Sequence, residues 1–85
     1  MKMELNMQTS LDRIVIDPNI CNGIPIIKGT RISVTTILEY LKAGDTADDI
    51  LSQYPGLEYD DISACYELAI RMASSSFHVQ PIAVG

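Results

Sequence analysis

Asn22-Gly23-Ile24-Pro25-Ile26-Ile27-Lys28-Gly29-Thr30-Arg31-Ile32-Ser33-Val34 decides how this chain folds, because it passes from turn to strand to helix within one short stretch. Asn followed by Gly tolerates left-handed backbone angles, so Asn22-Gly23 is predicted as a turn joining two short strands. Pro25 has no backbone N–H, which restricts Ile26-Ile27 to an edge strand or to the positions just after a strand begins. Gly29 permits a second bend, after which Thr30 and Arg31 present a hydroxyl and a guanidinium. Ser33 then fits the N-cap of a helix, its oxygen accepting an otherwise unpaired N–H.

Upstream, the β-branched run Arg13-Ile14-Val15-Ile16-Asp17 closes on Asp17-Pro18 and predicts a short strand. It pairs either with Ile26-Ile27 or with Thr30 to Ile32. Before it, Met1, Met3, Leu5 and Met7 alternate with polar residues, a pattern that suits a strand or a loose arm. Downstream, Val34, Ile37, Leu38 and Leu41 form a helical stripe from about Val34 to Ala43, stopped by Gly44. Thr46 caps a second helix with Asp49 as its capping-box partner, and its stripe is Ala47, Ile50, Leu51 and Tyr54. Pro55-Gly56 ends it. The longest helix runs from about Tyr59 to Ala73, with Ile62, Cys65, Tyr66, Ala69, Met72 and Ala73 on its apolar side and Glu67 and Arg71 as an i, i+4 pair. The predicted class is mainly α, a three-helix helix-turn-helix bundle with a short N-terminal β element. Residues 1–12 are an arm, 13–73 the domain and 74–85 a tail.

The 85 residues suffice for one small core. Six Lys and Arg stand against eleven Asp and Glu, a formal charge of −5, and this balance opposes non-specific attraction to nucleic acid. No apolar run reaches the ~20 residues that span a bilayer, and Glu4 falls where an export signal would turn apolar, so a cytoplasmic location and no membrane partner are expected. Cys21 and Cys65 are far apart in sequence and His78 is the one histidine, so neither a metal site nor a disulfide framework is predicted. Cys65 is expected to be a buried, inert thiol. No cofactor is expected either, since the stretch from Gly23 to Gly29 lacks the spacing and the helix-opening lysine of a phosphate loop. No serine or cysteine has a paired base in reach by sequence, which argues against an enzyme.

The string from Gly23 to Val34, followed by Gly44-Asp45-Thr46-Ala47-Asp48-Asp49-Ile50-Leu51-Ser52-Gln53-Tyr54-Pro55-Gly56-Leu57, closely resembles the domain of unknown function 433 family. The match rests on Gly23, Pro25, Gly29, Thr30 and Arg31 in order, with Pro55 in a Tyr-Pro-x-Leu turn, and it covers about Arg13 to Ala73. Glu58 departs from the pattern, standing where the family commonly has a Ser or Thr cap, and so predicts a less clean start for the last helix. The resemblance implies a homeodomain-like fold and an antitoxin of a type II toxin–antitoxin pair, encoded beside a PIN-like nuclease that it binds and neutralises. Promoter autoregulation is the accompanying expectation. The alternative is a stand-alone helix-turn-helix transcriptional regulator.

Candidate contacts with a partner or with nucleic acid are Arg31, Lys28, Arg13, Thr30 and Arg71, together with Phe77, His78 and Val79 of the tail. Arg31 suits a phosphate or a nuclease carboxylate, which its planar fork can hold with two parallel hydrogen bonds. The plainer role is an internal clasp to Asp17, Asp48 or Asp49, with Arg13 and Lys28 solvated. Phe77-His78-Val79 suits the entrance of a nuclease site, where burying Phe77 and Val79 would supply the affinity. On the last helix, Asp60, Asp61, Ser63, Ala64 and Glu67 are expected to face outward with only Arg71 positive, so DNA binding by the isolated protein should be weak or absent. Surplus apolar surface in the Met1 to Met7 arm, at Tyr40 and in the Phe77 to Val84 tail predicts a homodimer.

Overall fold

The computed structural model describes residues 11–74. The arm to Ser10 and the tail from Ser75, with Phe77, His78 and Val79, lie outside the described residues. Strand β1 (Ile14–Ile16) pairs antiparallel with β2 (Pro25–Ile27) in the register Ile14↔Ile27, Val15↔Ile26 and Ile16↔Pro25. Of the two pairings open in the sequence, this is the first. Pro25 opens β2 as its missing N–H requires, and the far edge of β2 is taken by Ile32 and Ser33. There Ile27 N–H donates to the Ile32 carbonyl at 2.9 Å, and an isolated bridge joins Ile26 to Ser33.

The connection between the strands holds two turns. Asp17 accepts from the Asn19 N–H at 2.9 Å in the first. In the second, Cys21, Asn22 and Gly23 take φ of 52°, 59° and 79° in succession. Asn22 and Gly23 are at home there, whereas Cys21 holds a left-handed angle that a residue of its type rarely adopts.

Three helices follow, α1 (Val34–Lys42), α2 (Ala47–Gln53) and α3 (Tyr59–Ala73). Ser33 caps α1 by accepting from Thr36 N–H, and Thr46 and Asp49 close a full capping box on α2, at 2.8 and 3.1 Å. The box holds the Asp49 carboxyl below its ordinary value of 3.8, first through the Thr46 N–H and then through the Thr46 hydroxyl. A depressed carboxyl contributes stability above that ordinary value and loses it as pH falls through the folded value. Asp49→Asn is therefore expected to lower the melting temperature at pH 7 and to flatten its decline below about pH 4. An equal decline in both proteins would show that the box contributes nothing.

The core is Ile27, Val34, Ile37, Ile50, Leu57, Ile62 and Cys65, drawn from β2, all three helices and the α2–α3 turn. Ile37 is fully covered, and burying a side chain of that size stabilises by about 2–3 kcal/mol. Tyr40 is not surplus surface, as the sequence suggests. Its ring meets Tyr54 edge-on at 6.1 Å between centroids, and the two hydroxyls lie 3.3 Å apart. The described residues include no helix long and apolar enough to cross a membrane.

The buried face of α3 is also turned relative to the expectation. Asp61, Ile62, Ala64 and Cys65 are buried and Leu68 packs against the core, while Tyr66, Met72 and Ala73 are exposed. Asp61 and Ala64, expected outside, thus face inward: the Asp61 carboxylate is drawn in by Arg13 and the Glu58 N–H, and the small Ala64 is fully covered. Cys65 is sealed as predicted, and burial, reinforced by Asp61, pushes its thiol up to about 12. At pH 8 its thiolate is then on the order of one part in ten thousand. A thiol reagent is expected to modify Cys21 alone in the native protein and both cysteines in denaturant, and prompt native labelling of Cys65 would contradict this packing.

Candidate functional site

Arg13, expected to be solvated, is the clasp of the fold. Its Nη1 reaches Glu58 Oε1 and Asp61 Oδ1, both at 3.1 Å, and its Nη2 reaches Asp60 Oδ2 at 3.5 Å. Those bonds raise the guanidinium above its ordinary value, Asp61 contributing most and Glu58 next. One end of β1 is thereby tied to the start of α3. Asp61 also accepts from the Glu58 N–H at 2.8 Å, so α3 begins firmly at Tyr59 without a Ser or Thr cap. The weak start expected from Glu58 is corrected, since the carboxylate three residues on supplies what the cap position lacks.

Arg31 is correspondingly released. It makes no ion pair with Asp17, Asp48 or Asp49 and none with any other described residue. It stands exposed on the β2–α1 turn, at the rim of a hollow of about 530 Å³ whose apolar lining includes Val15, Ile20 and Ile26. Gly29, with φ of 82°, turns the chain along that rim. Thr30 lines the same hollow with its hydroxyl engaged inside the turn: its Oγ1 donates to the Ile27 carbonyl at 2.8 Å and accepts from Ile32 N–H at 2.9 Å.

Cys21 is the residue that sequence reasoning missed. Its Sγ donates to the Arg31 carbonyl at 3.3 Å, so the strained left-handed turn between the strands holds the main chain of Arg31. Asp17 also lines this space, with its Oδ1 engaged by Asn19. Lys28 is exposed on the same turn as Arg31, its N–H bonded to the Arg13 carbonyl at 2.8 Å. The structure therefore brings Lys28 and Arg31 together as a cationic edge beside an apolar hollow and sends the Arg13 side chain elsewhere. Arg71 lies apart on the last turn of α3, where its Nε donates to Glu67 at 2.8 Å.

Such an edge can hold a carboxylate or phosphate in the Arg31 fork while an apolar side chain fills the hollow. By contrast, the outward charges of α3 are Asp60, Glu67 and Arg71, a poor match to a phosphate backbone.

The family described as a protein of unknown function, DUF433, matches residues 14–69. No curated protein matches the chain. Among solved structures, a DUF433 member protein from Anabaena variabilis ATCC 29413 is 35% identical, with a TM-score of 0.67 over 80% of this chain and 68% of that one. The matched span contains the hairpin, the Arg31 turn, all of α1 and α2 and most of α3, and on that evidence the chain belongs to the DUF433 family.

Proposed function

We propose that this protein is an antitoxin that binds and silences a PIN-like nuclease and contributes no chemistry of its own. The observation that carries the proposal is Arg31, a guanidinium with no acid among the described residues, held beside an apolar hollow by the Cys21 contact to its carbonyl. A nuclease that holds its metal in a cluster of carboxylates offers the complementary surface, and a fork that displaces water from such a cluster blocks substrate and metal together. Lys28 adds charge at the same edge. Phe77-His78-Val79 remains part of the proposal as the segment that fills the entrance of the site and contributes affinity by burial.

Direct promoter binding is the second reading, favoured by the short turns that join three helices in helix-turn-helix order. The acids of α3 and the net charge of −5 weigh against it for the protein alone. Co-expression with the product of the adjacent gene separates the two. Recovery of a stable complex supports the antitoxin, whereas salt-sensitive binding to the protein's own promoter with no complex recovered supports the regulator.

A further inference from the structure

The hairpin has two faces, and only one belongs to the core. Ile14 and Ile27 oppose each other in register and pack with the helices, whereas the next pair, Val15 and Ile26, points to the other side, as alternation along a strand requires. Ile26 is nevertheless only 1% exposed, although it takes no part in the core. With Val15 and Ile20 it gives the hollow of about 530 Å³ an apolar floor of its own, and that volume lies within the ~300–1,000 Å³ typical of small-ligand sites.

The polar side chains around this floor are nearly all engaged. Asp17 Oδ1 accepts from the Asn19 N–H, the Thr30 hydroxyl is bonded twice within its turn, and the Cys21 thiol holds the Arg31 carbonyl. The Arg31 guanidinium is the exception. It pairs with no acid among the described residues, while its main chain is held by Cys21 at a φ of 52°, backbone strain of the kind that collects at binding sites.

We propose that the hollow binds a small aliphatic monocarboxylate, its carboxylate held by two parallel N–H groups of the Arg31 fork and its hydrocarbon chain lying on Val15, Ile20 and Ile26. An alkyl chain matches the floor, whose three side chains offer no hydrogen bond. A single negative charge matches the rim. A phosphate would leave the floor uncovered and set a second charge against the Asp17 carboxylate, which also lines the hollow, whereas a neutral alkyl compound would leave the guanidinium unanswered. The fork that holds this ligand is the one assigned above to the nuclease, and the ligand rests on that reading of Arg31 as a receptor for carboxylates. Occupied by one carboxylate, the fork excludes another.

Titration of this protein alone tells failure of the ligand apart from failure of the nuclease contact, which co-expression reports. The probe is hexanoate, added to the full chain while the methyl resonances of Val15, Ile20 and Ile26 are followed by NMR. Saturable shifts are expected at all three, with a dissociation constant of about 1 mM or tighter, while Ile37 and Ile62 of the core stay unmoved. Arg31→Gln, at an exposed position without an ion pair, is expected to fold as the wild type does and to weaken hexanoate about tenfold. Hexanamide, which keeps the chain and lacks the charge, is expected to bind the wild type about tenfold more weakly than hexanoate, and inorganic phosphate to leave the three methyls unmoved. No saturable shift by about 20 mM hexanoate, equal binding of hexanamide, or equal affinity in Arg31→Gln overturns the proposal. Saturable shifts of the three methyls with phosphate overturn the choice of a monocarboxylate.

Discussion

Asp61→Ala is expected to destabilise the domain by about 3 kcal/mol, which for a domain of this size corresponds to a fall of about 15 °C in melting temperature. Two losses combine. Asp61 accepts from the Glu58 N–H at 2.8 Å, and removing a partner of this kind at a helix start costs about 1 kcal/mol. It is also the least exposed of the three acids around Arg13, with only 10% of its side chain accessible, so its ion pair is the least screened by water. A hydrogen bond to a charged group in such a place contributes about 1.5–3 kcal/mol. Arg13→Ala is expected to destabilise in the same direction, with an effect that shrinks as salt is added. Arg31→Ala should leave the melting temperature unchanged. If instead Arg31→Ala destabilised as much as Asp61→Ala, the assignment of the clasp to Arg13 would be wrong.

The contrast between the two arginines shows what the sequence made legible. Local features were readable: the Thr46–Asp49 box, the Ser33 cap, the Asn22-Gly23 turn and the Glu67–Arg71 pair are fixed by neighbours within four residues, and all are present. The resemblance indicated the family through the Gly23 to Arg31 string and the Pro55 turn. The partner of Arg13 was not readable, because its carboxylates lie 45 to 48 positions away and meet it only once α3 has docked beside the hairpin. The face of α3 was misplaced for a related reason. Tyr66 and Met72 extend the apolar periodicity, but the neighbours of α3 are too short to cover a stripe that wide, and Ala64 lets the helix approach them closely. Cys21 carried no sequence signal at all. Its left-handed angle follows from the turn that Asn22 and Gly23 impose, and its contact to Arg31 follows from the fold of the hairpin.

The second large effect is expected in binding to the nuclease partner proposed above. Arg31→Glu should weaken complex formation about 100-fold, equivalent to about 3 kcal/mol, because it replaces a desolvated pairing with a repulsion at the acid cluster. Arg31→Lys should recover only part of that loss, since an ammonium keeps the charge and forfeits the two parallel hydrogen bonds. Neither change should disturb folding, because the Arg31 side chain forms no ion pair within the described domain. A chain truncated after Ala73 separates the contribution of the tail. If truncation abolishes binding and Arg31→Glu does not change it, Phe77-His78-Val79 carries the contact and Arg31 is a solvated surface charge.

The most direct test of the proposed antitoxin role is to purify the product of the adjacent gene, assay it for ribonuclease activity and follow that activity as this protein is added. The wild type is expected to inhibit stoichiometrically, with Arg31→Glu requiring about 100 times more protein for the same inhibition. Undiminished ribonuclease activity at a large excess of folded wild-type protein would contradict the assignment.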